Sequence, residues 1–175
     1  MDAIKAITER YSYRGMYEST PVPREALKQI MEAGLAAPSG CNTQTTSLIG
    51  LDDIEIIKAV ASHFEKPKFA SAPAAICVLT QHIPGYDEVY FNVQDYAAAI
   101  ENMLLTITAL GYASCWIEGE ITWNKEFSRK VAETLSVPER YELVAYLPVG
   151  IPAEKSSRVK KKPFEERAWF NGFGK

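Results

Sequence analysis

From about Asn92 to Leu110 the apolar residues Val93, Tyr96, Ala97, Ile100, Leu104 and Ile107 step by three and four, which is the period of a helix. Ala98, Ala99, Met103 and Leu105 make its other faces apolar as well. A helix apolar nearly all round must be covered on more than one side, so the fold has to be built around this segment. Gly111 follows it where a left-handed C-cap belongs. With 175 residues, 47% of them apolar, the chain has enough material for one domain with its own core, residues 1–175. In a domain of that size the second cover of the helix is expected to come from another subunit.

The remaining pattern alternates helices and strands. Residues 2–9 and a segment opening near Arg24 read as helices, the second with Leu27, Ile30, Met31 and Leu35 on one face and a stop at Pro38. Ser47–Leu51 reads as a short strand. Asp52 or Asp53 then caps a helix carrying Ile54, Ile57, Val60, Ala61 and Phe64. Ala74–Thr80 is a continuous apolar run, as in a strand buried on both faces. Ala113–Ile117 is a second such candidate, Lys125–Leu135 a helix, and Tyr141–Gly150 the clearest strand. These elements suit either an α/β or an α+β domain.

Charge and composition narrow the function. The net charge of −3 lacks the basic excess of a non-specific nucleic-acid binder. No window approaches the roughly 20 apolar residues of a membrane span, and Met1-Asp2-Ala3-Ile4-Lys5 is unlike a signal peptide, so a cytoplasmic location without membrane or nucleic-acid partners is expected. Cys41, Cys77 and Cys115 are odd in number and widely spaced, as free thiols are, and no metal site is expected. From Glu154 onward seven Lys or Arg face three acids, a balance of +4, while the rest of the chain stands at −7. Such a tail is either a solvated surface or a local anion site.

Residues able to do chemistry lie in short polar clusters. Arg10-x-Ser12-x-Arg14 puts two guanidinium forks and a hydroxyl on one side of an extended segment, a set that suits a phosphate. Ser39-Gly40-Cys41-Asn42-Thr43-Gln44 places amide side chains on alternate residues, able to donate and accept at a heteroaromatic edge. Ile117-Glu118-Gly119 leaves a buried strand and turns, and Lys160-Lys161-Lys162 adds positive charge. With His63 and His82 the only histidines, triad and metal chemistry have few partners to use. Cys41 could serve as a thiol nucleophile, but no base accompanies it in the sequence.

Taken in order, these clusters resemble the FMN-dependent nitroreductase superfamily. The matching stretches are Arg10-Tyr11-Ser12-Tyr13-Arg14, Ala37-Pro38-Ser39-Gly40-Cys41-Asn42-Thr43-Gln44, Ala97 to Leu105, Ala109 to Trp116, Val149-Gly150-Ile151-Pro152 and Lys161-Lys162-Pro163-Phe164-Glu165-Glu166. The resemblance implies an α+β fold with a central mixed, largely antiparallel sheet flanked by helices. It implies an obligate homodimer with a long buried interface helix and FMN bound between subunits.

By the same resemblance, Arg10, Tyr11, Ser12 and Arg14 hold the FMN phosphate and ribityl chain, with Lys161 completing the phosphate site. Ser39, Asn42 and Gln44 approach the ring and ribityl hydroxyls, and the backbone of Ile117, Glu118 and Gly119 runs along the ring. No catalytic side chain is implied, because the flavin N5 carries the hydride. The implied activity is NAD(P)H-dependent reduction of a nitroaromatic, quinone or enone, and the alternative is a flavin sensor or carrier without turnover. Where the family carries Gln-Pro-Trp this chain reads Gln44-Thr45-Thr46, and the segment from Leu51 to Asn92 is short. Both departures imply different packing beneath the flavin and a different substrate channel.

Overall fold

A computed structural model describes residues 1–64, 68–156 and 158–175. The elements run α1 (Ala3–Glu9), α2 (Arg24–Leu35), β1 (Thr46–Leu51), α3 (Ile54–Ala61), β2 (Ala74–Thr80), α4 (Asn92–Ala109), α5 (Gly119–Trp123), α6 (Lys125–Thr134) and β3 (Glu142–Val149). Sheet order is β1-β2-β3, with both pairs antiparallel.

Every residue of β2 is buried because each face of the sheet is covered by helices. Ala74, Ile76 and Val78 face a core shared with Ile30 of α2 and with Ile100, Met103 and Ile107 of α4. Ala75, Cys77 and Leu79 face Ile57 and Val60 of α3 and Phe127 and Val131 of α6. Between Val78 and Leu79 the register with β3 slips by one residue, so Val144 and Ala145 both join the α4 side.

Among the described residues the sheet continues beyond β3 as isolated bridges. Ala113 and Ile117 pair antiparallel with Gly150 and Tyr146, and Ser114 pairs parallel with Ser12, which makes the assembly mixed. The expected strand Ala113–Ile117 is thus broken in the middle. Its register sets Cys115 opposite Pro148, and proline has no N–H to donate at the one point that would join the two bridges.

α4 is covered on one side by the sheet and on the other by α1 and α2, so much of the expected second cover comes from the chain itself. Its inward positions are Asn92, Asp95, Tyr96, Ala99, Ile100, Met103, Leu104 and Ile107. Val93, expected on that face, points outward. Ile54 of α3 and Ile4 and Ile7 of α1 are likewise exposed. α4 ends in a Schellman cap: Gly111 (φ +85) donates to the Thr108 carbonyl at 3.1 Å, and Tyr112 to that of Ile107 at 3.0 Å. No described helix is long and apolar enough to cross a membrane.

Candidate functional site

α1 is capped by Asp2 and stops at Arg10, whose backbone turns extended (φ −57, ψ 136). From there the chain alternates. Tyr13 turns inward and donates its hydroxyl to the Met16 carbonyl, and its ring meets Tyr11 and Tyr17 edge-on at 6.3 and 5.0 Å. Arg10, Ser12 and Arg14 consequently share the other side. They line a cleft of about 440 Å³ with Tyr11, Arg158 and Lys161. The segment is pinned where the Tyr13 N–H donates to the Ser114 carbonyl at 2.8 Å.

Four cations therefore face one concavity, and among the described residues one acid answers them: Arg10 Nε lies 3.4 Å from Glu101 of α4. Arg158 donates to the Thr8 carbonyl at 2.9 Å, in the last turn of α1, where a cation also suits the helix dipole. Of the three consecutive lysines only Lys161 is among the residues lining the cleft. Arg158 was invisible as a site residue in the sequence. Its signal was the excess charge of the tail, which the lysine run drew toward itself.

The segment after α2 forms a second element of the site. Gly40–Asn42 make a single 3₁₀ turn, and Cys41 (φ 52), Asn42 (φ 56) and Gln44 (φ 49) all adopt left-handed backbone. Asn tolerates this, whereas Cys and Gln each cost about 1 kcal/mol. The turn presents Asn42 and Gln44 to solvent, and the Ser39 hydroxyl accepts the Gln44 N–H at 3.1 Å. Ser39 and Gln44 line a smaller cavity of about 170 Å³ with Thr46, Asp95 and Ala99, which shares no lining residue with the cationic cleft.

The third segment departs in detail from its sequence reading. The Ile117 N–H is donated to the Tyr146 carbonyl at 3.1 Å, so it is not free for a ligand. Glu118 is the N-cap residue of the short helix α5, which opens at Gly119 where the sequence suggests a turn. Tyr96 donates its hydroxyl to Glu118 Oε1 at 3.0 Å, and burial, followed by this carboxylate, pushes the phenol up to about 12.

Three side chains of α4 thus reach the three segments: Asp95 to the 39–45 loop, Tyr96 to Glu118 and Glu101 to Arg10. Asp95 and Glu101 are six residues apart, about 9 Å along the helix axis. α4 is the spine on which the site is strung.

Cys41 and the histidines are placed apart from one another. The Cys41 sulfur accepts the Tyr86 N–H at 3.3 Å, while His63 Nε2 lies 3.1 Å from the Thr134 hydroxyl and His82 Nε2 2.7 Å from Glu142. Burial pushes the Cys77 thiol up to about 12. It pushes Cys115 up to about 11, against the pull of the nearby Arg14 guanidinium.

With this geometry in place, the comparison with known sequences is decisive at one point. The model of the nitroreductase family matches residues 7–151, from α1 to the end of β3. The chain belongs to the nitroreductase family. A family relative from Archaeoglobus fulgidus, provisionally named an NADH dehydrogenase/NAD(P)H nitroreductase, is 29% identical over 157 residues, 88% of this chain and 87% of its own. A Bacteroides thetaiotaomicron protein of the same provisional name superposes with a TM-score of 0.84 over 98% of both chains, at 24% identity. The crystal structure of a nitroreductase with bound FMN from Bacteroides fragilis is 27% identical, with a TM-score of 0.75 over 97% of this chain and 98% of that one. Arg158 and Lys161 lie beyond the family match, so part of the cationic cleft is supplied by the tail.

Proposed function

We propose that this nitroreductase-family chain is an FMN-dependent oxidoreductase that takes a hydride from NAD(P)H and passes it to a small electrophilic acceptor, a nitroaromatic, quinone or enone, in a ping-pong cycle. The observation that carries the reading is the cleft itself: Arg10, Arg14, Arg158 and Lys161 converge with the Ser12 hydroxyl on one concavity. A phosphate monoester brings about two negative charges and three acceptor oxygens, and this donor set fits it. Relatives named NAD(P)H nitroreductase and FMN reductase [NAD(P)H] support the choice of cofactor and electron donor.

In this reading Arg10, Ser12, Arg14 and Lys161 bind and neutralise the phosphate, and Tyr11 closes the side of its cleft. Ser39, Asn42 and Gln44 supply hydroxyl and amide groups to the ring and its ribityl chain. The backbone at Ile117, Glu118 and Gly119 would run along the ring. Bound FMN supplies the redox chemistry, since its ring accepts and releases a hydride. The residues of the chain orient it and favour its negatively charged reduced form, and no side-chain acid or base is needed.

The chain acts as one domain and works as a homodimer. Two observations support the dimer. The cationic cleft and the 39–44 loop border separate cavities with no lining residue in common, an arrangement in which a second copy can bring the other set to one ligand. In addition Leu105 and Ala109 of α4 line an open groove with Ala33 of α2 and Ala36 just beyond it, leaving small and apolar residues for a partner to cover.

The direct test is anaerobic titration of the purified, FMN-loaded protein with NADH and NADPH, followed by reoxidation with nitroaromatics, quinones, enones and oxygen. Rapid bleaching by a nicotinamide, and faster reoxidation by one acceptor class, are expected. Flavin that only dithionite reduces would reassign the chain as a binding module, and protein that stays colourless after FMN is added would end the reading. Cys41→Ser is expected to retain full turnover, since neither histidine contacts that thiol to activate it. Loss of activity in this variant would move the chemistry to sulfur.

A further inference from the structure

The 39–45 loop holds strained backbone that its own hydrogen bonds do not account for. Within it the Asn42 N–H donates to the Ser39 carbonyl at 3.0 Å and the Thr43 N–H to that of Gly40 at 3.1 Å, the hydrogen-bond pattern of a 3₁₀ turn. Cys41, Asn42 and Gln44 are nevertheless left-handed, and such a run persists only where the surroundings hold it.

What holds it is a buried carboxylate. Asp95 is 3% exposed and stands in the first turns of α4. Its Oδ1 accepts the Gly40 N–H at 2.8 Å, and its Oδ2 accepts the Thr45 hydroxyl at 2.7 Å and the Thr43 hydroxyl at 3.4 Å. Among the described residues no cation pairs with it. A buried charge without a counter-ion is retained only where hydrogen bonds compensate it, and here nearly all of that compensation is drawn from the loop.

The sequence of the loop bears on the same point. Thr45 stands where the family pattern has proline, a residue with no side-chain donor, and it is fully buried with its hydroxyl on Asp95. The departure from Gln-Pro-Trp thus exchanges a stiff ring for a charge-assisted hydrogen bond donated to α4.

We infer that Asp95 is the positioning residue of this site, clamping residues 40–45 through Gly40, Thr43 and Thr45 so that Ser39, Asn42 and Gln44 stand ready to meet the flavin. The role of the loop toward the flavin rests on the function proposed above, while the clamp itself does not. Asp95 need not touch the cofactor; it acts through the loop.

The test combines an FMN affinity with a local measurement on the apoprotein. Asp95→Ala is expected to weaken FMN binding by about tenfold or more in a fluorescence titration, as loss of a charge-assisted anchor implies. Asp95→Asn, which keeps one acceptor for Gly40, is expected to recover much of that loss. Thr45→Val keeps the shape and removes one donor, and is expected to fall between them. In the apoproteins of all three, amide exchange at residues 40–45 should rise while β2 stays protected. Ile57→Ala, a core truncation under the opposite sheet face, should lower the melting temperature without moving the FMN affinity.

Wild-type FMN affinity together with unchanged loop exchange in Asp95→Ala overturns the inference. If that variant fails to fold, the same pair of results in Thr45→Val overturns it. A wild-type protein that binds no FMN would defeat the proposed function alone, and loop exchange would then decide the clamp by itself.

Discussion

Replacing Arg10 and Arg14 together with alanine is expected to strip FMN from the protein. Each guanidinium offers charge-assisted hydrogen bonds to the phosphate, worth about 1.5–3 kcal/mol apiece when removed. Their joint loss corresponds to roughly two to four orders of magnitude in the dissociation constant. The two are not equivalent. Arg10 also faces Glu101 at 3.4 Å, so Arg10→Ala leaves an unanswered carboxylate beside the anion site, whereas Arg14→Ala removes attraction only. The single Arg10 variant should therefore be the weaker binder, and adding Glu101→Gln should restore part of its affinity. Raising the salt concentration should shrink the difference, because Glu101 is half exposed and its repulsion is screened. Folding is not at stake, since Arg10 caps α1 through its backbone N–H. Titration of apoprotein with FMN at two ionic strengths, with circular dichroism as a check on fold, measures all of this. Equal flavin occupancy in the double variant would remove the phosphate from this cleft.

The parts of the fold visible in the sequence are those whose burial leaves a periodic trace. β2 is a run of apolar residues because both its faces are covered, and α4 shows its length through an uninterrupted helical period closed by Gly111. α5 spans only Gly119–Trp123, too short to establish a period, and was read as a turn. The break at Cys115 depends on Pro148, which lies 33 positions away and matters only once the two segments pair. The facing of α4 was misjudged by one position in its first turn, where Asp95 and Asn92 take the inward places and Val93 the outward one. A polar residue is the natural choice for solvent, and nothing local shows that Asp95 has donors waiting 50 and 55 residues earlier. The Arg10, Ser12 and Arg14 set was legible because strand alternation alone puts the three on one side. Arg158 and the Asp95 clamp are tertiary facts, and the one trace of the clamp is an acid in the first turn of α4, next to a largely apolar stretch from Tyr96 to Ile100.

Gly40→Ala is expected to cost stability and flavin affinity together, through one added methyl group. A Cβ at this position would lie 2.3 Å from Cγ of Phe91, 2.4 Å from its Cβ and 2.5 Å from its Cδ2, closer than any packed carbon can stand. The atoms approached are Cβ and Cγ, the root of the Phe91 side chain, which a change of rotamer cannot carry far away. Phe91 is the residue that opens α4, so pushing it aside disturbs the helix start, and lifting the loop instead breaks the 2.8 Å bond from Gly40 to Asp95. Overpacking of this kind costs about 1–3 kcal/mol, and a lost charge-assisted bond adds about 1.5–3 kcal/mol. The second loss falls on the 40–45 clamp, so FMN affinity should drop by tenfold or more even where the protein still folds. The two causes separate in a double-mutant cycle. Phe91→Ala alone should destabilise by opening a cavity, yet in the Gly40→Ala background it should raise stability by making room for the methyl. Urea denaturation of the four proteins gives the coupling energy, and FMN titration shows whether the loop returns with it. Additive effects in the cycle would mean that Phe91 does not fix the loop, and that glycine at this position answers to something other than the ring above it.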